Sequence, residues 1–209
     1  MWKTKKVVVA IPNYSNKLDG DVAQSVIGMN KTDDTYILFA KRSLIDRARN
    51  KMVEEAIRRD ADYLLFIDDD NIVPQDMLQK LIEKDKDVIV PVIPRRGYNN
   101  EKTLVFDENH ESLFPTEDQK IFSTGMGCCL IKREVFEPIF NETMGRPFQF
   151  RSVMNNGKLV EMTEDVSFCS EVNARGFEIW TTPDIIAEHI GGKFTLRYED
   201  GKIKSKYYM

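Results

Sequence analysis

The stretch Tyr63-Leu64-Leu65-Phe66-Ile67-Asp68-Asp69-Asp70-Asn71 passes from apolar to acidic with nothing between. Five apolar residues are too few for a helix and suit a strand buried on both faces of a parallel sheet. In open α/β sheets, ligands gather outside the carboxyl ends of the strands. Three carboxylates placed there repel one another unless a divalent cation neutralises them, and hard oxygen donors suit Mg²⁺ or Mn²⁺. A cation held in this way can bridge the phosphates of a nucleoside diphosphate and stabilise the charge of a leaving group. An isolated Asp-x-Asp is more often a solvated turn. The apolar strand before this one, with Asn71-x-x-Pro74 and a helical pattern after it, sets it apart.

The pattern repeats on either side. Upstream, Lys6–Ile11 reads as a buried strand ended by Pro12 and Asn13, and Thr35–Ala40 as a second strand. Between them Asp19 is placed to cap a helix from Gly20 to about Asn30. Ser43 is placed to cap a helix to about Arg59. Ile45, Ala48, Met52, Val53, Ala56 and Ile57 form its apolar face, and Asp46, Arg47, Arg49 and Asn50 its polar face. Downstream, Pro74 opens a helix carrying Met77, Leu78, Leu81 and Ile82, and Asp87–Ile93 is the next strand. This β-α-β-α-β-α-β order predicts a parallel sheet covered by helices on both faces.

Beyond residue 96 the character changes. Thr103–Asp107 and Ser112–Phe114 predict a hairpin around Glu108-Asn109-His110. Ile121–Thr124 and Cys128–Ile131 flank Gly125-Met126-Gly127, and Arg133–Phe140 reads as a short helix. Phe148–Val153 and Lys158–Glu161 predict a hairpin closed by Asn155-Asn156-Gly157. Thr163 is placed to cap a helix from Glu164 to Arg175, stopped by Gly176. Phe177–Thr181 and Ile185–His189 read as strands, and Phe194–Tyr207 as a final hairpin broken at Asp200-Gly201.

Composition narrows the function. The chain has 209 residues and a net charge of −4, so it lacks the basic bias of a protein that grips nucleic acid. Lysines at both ends read as solvated surface. Three cysteines in no framework spacing argue for buried reduced thiols. No stretch approaches the roughly 20 apolar residues of a membrane span, and the N-terminal run is short for a secretory signal. The expectation is a cytoplasmic protein.

Several motifs stand in an order that resembles the GT-A-type glycosyltransferases, especially family 2 and its small bacterial and viral relatives. These are Val7–Tyr14, Arg47-Ala48-Arg49-Asn50, Phe66–Asn71, Gly125–Phe136, Thr163–Cys169 and His189-Ile190-Gly191-Gly192. The resemblance spans roughly residues 6–192. It implies a Rossmann-like, mostly parallel central sheet flanked by helices, with a mixed or antiparallel C-terminal half. It also implies one domain over 1–209, with a nucleotide-binding half (1–96) and an acceptor or catalytic half (97–209). The activity implied is metal-dependent transfer of a sugar from a nucleotide-diphosphate sugar to an acceptor hydroxyl of a glycan or other molecule, with Mn²⁺ or Mg²⁺ as cofactor.

The resemblance also distributes roles. Asp68, Asp70 and His189 would hold the metal. Pro12, Asn13, Tyr14, Arg47, Asn50, Asp68 and Asp69 would bind the donor. Asp165, beside Glu164, would take the acceptor proton in an inverting displacement. Without the resemblance, Glu164 and Asp165 are also ordinary helix-start acids favoured by the dipole, and His189 a strand histidine. Gly125 and Gly127 permit close approach of a ligand or simply turn the chain. Arg95-Arg96-Gly97 suits phosphate, an anionic acceptor or solvent. The polar stretch 97–120 suits a loop that closes over the donor.

Two other readings compete. A sugar-phosphate nucleotidyltransferase also uses acids on an α/β sheet, but it commonly carries a Gly-rich phosphate loop after the first strand, where Pro12-Asn13-Tyr14-Ser15-Asn16 has no glycine. A non-catalytic nucleotide-sugar-binding protein would not need Asp68, Asp70, Asp165 and His189 together. Phe39-Ala40-Lys41-Arg42-Ser43 lacks the acid that many family 2 relatives place after the second strand. The nucleobase therefore stays open, with UDP as the default.

Overall fold

The computed structural model describes residues 2–15, 17–96, 102–155, 157–191 and 194–207. In chain order the elements are β1 (Lys6–Asn13), α1 (Gly20–Gly28), β2 (Asp34–Lys41), α2 (Ile45–Arg58), β3 (Tyr63–Ile67), β4 (Asn71–Ile72), α3 (Met77–Glu83) and β5 (Val88–Pro91). There follow β6 (Val105–Phe106), β7 (Gln119–Ile121), β8 (Ser123–Thr124), β9 (Cys128–Lys132), α4 (Arg133–Glu142), β10 (Arg151–Asn155), β11 (Lys158–Met162) and α5 (Glu164–Ala174). The chain ends through β12 (Ile179–Thr182), β13 (Glu188–Ile190), β14 (Phe194–Glu199) and β15 (Lys202–Tyr207).

Seven strands form one sheet in the order β2-β1-β3-β9-β5-β12-β7. Neighbours β2, β1 and β3 run parallel, as do β5 and β12. The expected run of adjacent parallel strands is corrected at one point, because β9 inserts antiparallel between β3 and β5. The reason is compositional. Cys129 and Ile131 pack into one core and Cys128 and Leu130 into the other, so β9 is apolar on both faces and belongs inside the sheet. Strand β7 closes the far edge, antiparallel to β12.

The period-2 alternation of the strands separates the two cores. Val8, Ala10, Leu64 and Phe66 face Met52 and Val53 of α2, Val135 and Phe136 of α4, and Phe168 and Val172 of α5. Val7, Val9, Ile11, Leu65 and Ile67 face Val22 and Val26 of α1 and Met77, Leu78 and Leu81 of α3. Helices thus cover both faces. All three cysteines are buried and free.

Some local expectations change. Asp19 caps α1 by accepting from the Asp21 amide, but α2 begins after Leu44, without a side-chain cap from Ser43. Thr163 holds the cap position of α5 without a cap bond, because its hydroxyl goes to Asp165. The hairpin expected over 103–114 is reduced to a single bridge, Phe106 with Ser112, while β6 pairs with β8. Of the polar stretch 97–120, residues 97–101 lie outside the described residues, as do Asn16, Asn156 and Gly192.

A four-stranded sheet, β15-β14-β13-β4, stitches the end of the chain to the segment just after the three aspartates. His189 lies opposite Asn71 in that pairing. Strands from both sides of residue 96 therefore share the large sheet and this smaller one. No helix among the described residues is long and apolar enough to cross a membrane.

Candidate functional site

The acidic turn is built by backbone contacts at the end of β3. The Asp68 amide donates to the Gly127 carbonyl at 2.8 Å and the Asn71 amide to the Asp68 carbonyl at 3.1 Å. The Ile190 amide donates to the Asp70 carbonyl at 2.8 Å, and this tie sets β13 beside the turn. Gly127 packs closely on the turn: an added Cβ would lie 3.2 Å from the buried Asn71 amide group, which would have to shift.

This pairing brings Asp70 to His189. His189 is buried, and its Nε2 lies 3.6 Å from Asp70 Oδ1. Its Nδ1 lies 2.7 Å from the Pro94 carbonyl oxygen. A carbonyl only accepts, so Nδ1 carries a proton, and Nε2 faces Asp70. Asn71 Nδ2 donates to Asp70 Oδ1 at 2.7 Å, and Arg96 Nη1 pairs with Asp70 Oδ2 at 2.9 Å. Burial works to raise the Asp70 pKa, but His189, Arg96 and Asn71 outweigh it and hold the carboxyl below its ordinary value. Asp69 moves the other way: burial, then repulsion from Asp70 and Asp68, raises it, and Arg96 offsets this only in part.

Asp68 has a different partner. Arg49, 3% exposed, places Nη2 3.1 Å from Asp68 Oδ1 and Nε 3.3 Å from Glu164 Oε1. Its guanidinium also lies over the Phe66 ring. One cation thus ties the turn after β3 to the start of α5. Burial acts against the charged guanidinium, but Asp68, Glu164 and Asp165 prevail and raise its pKa. Glu164 is raised chiefly by burial and then by Asp165, and its bond to Arg49 only partly offsets this.

At the start of α5 the two acids separate by role. Glu164, expected with Asp165 at the catalytic site, is buried against Arg49. Asp165 is half-buried. Its Oδ1 accepts from the Val166 amide at 2.8 Å and from the Thr163 hydroxyl. Its Oδ2 lies by Gly125, where an added Cβ would come within 3.8 Å. The Gly125–Gly127 loop thus runs between Asp165 on one side and the acidic turn on the other.

A cleft of about 200 Å³ opens beside the turn. Pro12, Asn13 and Tyr14 line one wall, Asp68, Asp69 and Asp70 another, and Arg96 the rim. Asn13 is fixed by donating from Nδ2 to the Lys17 carbonyl at 2.9 Å, while Tyr14 stands 72% exposed. Two donor-site expectations fall away from the cleft. Arg47 is exposed and does not line it. Asn50 spends its amide on Phe148, donating to its carbonyl at 2.8 Å and accepting its N–H at 2.9 Å.

The segment 20–126, just over half of the chain, matches the family model Anp1. The chain belongs to the Anp1 family. The match is to Anp1 and not to family 2 specifically. No curated protein sequence matches. Among solved structures, 98% of this Anp1-family chain aligns with 96% of A197 from STIV, at 18% identity and a TM-score of 0.66. S. aureus TarS 1–349, solved in complex with UDP-GlcNAc, aligns at 13% identity and a TM-score of 0.50 over 86% of this chain. The chain spans 56% of that structure. At such identities the likeness establishes the fold: the expected GT-A-type α/β architecture.

Two positions at the site of the Anp1-family chain escape the sequence expectations: Asn71 donates to Asp70, and the Pro94 carbonyl fixes His189. Of the two arginines in the expected Arg47–Asn50 motif, Arg49 and not Arg47 reaches the acidic turn. A signal existed for Arg49 alone. It precedes Met52 and Val53 by three and four residues, which places it on the buried stripe of α2.

No group of three or more His, Cys, Asp or Glu side chains among the described residues is arranged to hold a metal ion. Asp70 and His189 nevertheless fit as a two-donor set. Each ligand bond would be about 2.1 Å long, and a separation of 3.6 Å lets both donors reach one ion. The fixed Nδ1–H and the Asn71 amide supply the outer support such ligands need. Asp68, paired with Arg49, is not joined to them in this arrangement.

Proposed function

We propose that this chain transfers a sugar from a nucleoside-diphosphate sugar to an acceptor hydroxyl, with Asp70 and His189 holding a Mn²⁺ or Mg²⁺ ion. The observation that carries the reading is the Asp70–His189 pair beside a cleft whose other wall is Pro12, Asn13 and Tyr14. Membership of the Anp1 family and a fold shared with TarS, whose structure holds UDP-GlcNAc, support glycosyl transfer.

A bound cation would neutralise the diphosphate as it leaves. The remaining work falls to the chain. Asp165 accepts the acceptor's proton at Oδ2, because Oδ1 is already engaged by Val166 and Thr163. Glu164 and Arg49 fix the start of α5 relative to the acidic turn, so that base and leaving group keep one geometry. Pro12, Asn13 and Tyr14 receive the nucleoside, and attack opposite the leaving diphosphate inverts the anomeric centre.

The test is a melting-temperature panel of nucleoside diphosphates with and without Mn²⁺, followed by product analysis. UDP with Mn²⁺ is expected to raise the melting temperature where either alone does little. Turnover is expected to release a nucleoside diphosphate. Release of pyrophosphate, or stabilisation by UDP that ignores Mn²⁺, overturns the reading.

A further inference from the structure

Arg96 differs from the other cation of the site. Arg49 is buried and holds two carboxylates, whereas Arg96 is 56% exposed and, among the described residues, pairs only with Asp70 Oδ2. That oxygen is the one Asp70 has left over, because Oδ1 receives Asn71 and faces His189. The root of Arg96 is also defined. Pro94 bridges Thr103, the Arg95 amide donates to the Lys102 carbonyl at 2.8 Å, and the Pro94 carbonyl fixes His189. The guanidinium therefore starts two residues from the anchor of His189 and reaches Asp70 from the solvent side.

A guanidinium and a dication on one carboxylate repel each other. An ion pair this exposed is weak and readily exchanged. We propose that Arg96 and a divalent cation compete for Asp70, and that the displaced guanidinium pairs with the diphosphate of the donor. Its planar fork of donors matches phosphate oxygens. The inference rests on the cation site proposed above at Asp70 and His189. Two consequences follow. A cation alone binds against the competition of Arg96. A nucleoside diphosphate added with the cation gives Arg96 a new partner, so the two bind cooperatively.

The experiment titrates MnCl₂ into the full chain calorimetrically, with and without UDP, for wild type, Arg96→Gln, Arg96→Lys and Arg95→Gln. Arg96→Gln is expected to bind Mn²⁺ alone roughly 2- to 5-fold more tightly, the loss of an exposed competitor. In saturating Mn²⁺ it is expected to bind UDP roughly 10-fold more weakly, the loss of a charged phosphate contact. Arg96→Lys keeps the charge and is expected to resemble wild type toward Mn²⁺. Arg95 is exposed and makes no ion pair among the described residues, so Arg95→Gln is expected to change neither affinity. Unchanged or weaker Mn²⁺ binding by Arg96→Gln overturns the inference, as does unchanged UDP binding or equal shifts from Arg95→Gln. A wild type that binds Mn²⁺ normally while Arg96→Gln matches it removes only this inference. A wild type that binds no Mn²⁺ removes the cation site as well.

Discussion

Two acidic turns face each other across the Gly125–Gly127 loop, one after β3 and one opening α5. Each gives one carboxylate to Arg49, Asp68 from the first and Glu164 from the second. The first turn leaves Asp70 beside His189, with Asp69 lining the cleft, and the second leaves Asp165. What surrounds those two differs. Asp70 meets a histidine, an arginine and an amide, which together hold its pKa down. Among the described residues, Asp165 accepts hydrogen bonds from a hydroxyl and a backbone N–H at one oxygen, and it interacts at longer range with Arg49 and Glu164. The first environment suits a carboxylate that holds a cation. The second leaves one carboxylate oxygen without a hydrogen bond among the described residues, which suits a proton acceptor. Neighbouring groups, more than residue type or spacing, thus set these acids apart.

The sharpest way to break this comparison is Asp165→Asn. The amide keeps the shape and one acceptor but cannot take a proton. Transfer is expected to fall about 10²- to 10⁴-fold, the usual contribution of a general base. UDP binding in Mn²⁺ is expected to stay within a few-fold, because Asp165 belongs to the other turn. Steady-state rates and calorimetry check both halves. Lost nucleotide binding would mean that the two turns are one site, with no division between them.

The next largest effect concerns what the turns share. Arg49→Met keeps an unbranched apolar stem but removes the guanidinium from Asp68, Glu164 and the Phe66 ring. Removing one partner from a buried ionic group costs roughly 3–5 kcal/mol. The melting temperature is expected to fall accordingly, by circular dichroism or calorimetry, and Arg49→Lys is expected to recover only part of it. A variant as stable as wild type would show that the bridge between the turns carries no weight.

The sequence carried the acidic turns more clearly than the bridge. Val7–Ile11, Tyr63–Ile67 and Val88–Val90 are apolar at every position, so burial on both faces follows from composition. Asp68–Asp70 and Glu164–Asp165 stand at element ends, where periodicity stops. Other features depended on pairings that no local pattern encodes. The insertion of β9 between β3 and β5 is a long-range choice among apolar strands of similar length. The placement of His189 opposite Asn71 follows from the pairing of β4 with β13. The work of Pro94 is done by a backbone carbonyl, to which side-chain identity is blind. Arg49 was obscured by a rotation: two residues on a helix differ by about 200° of turn, so Arg47 and Arg49 face nearly opposite ways.

The smallest expected effect tests whether Glu164 is held for its charge or for its position. Its folded pKa lies above the ordinary 4.5, since burial and Asp165 outweigh Arg49. A carboxyl raised in this way favours its protonated form in the fold. Its contribution to stability is therefore full below the unfolded value near 4.5 and is lost as pH rises through the folded value. Gln resembles the protonated acid and can still accept from Arg49 Nε. Glu164→Gln is thus expected to gain on wild type between pH 4 and pH 7, by about 1 kcal/mol or less, which is roughly 2–4 °C in melting temperature. Melting curves of the two proteins across that range, in chelator-treated buffer, give the difference directly. If wild type instead gains on the variant as pH rises, the ionised pair with Arg49 is a net stabiliser. Glu164 would then be held for its charge, as a neutralising partner of Arg49, and the bridge would depend on both turns equally.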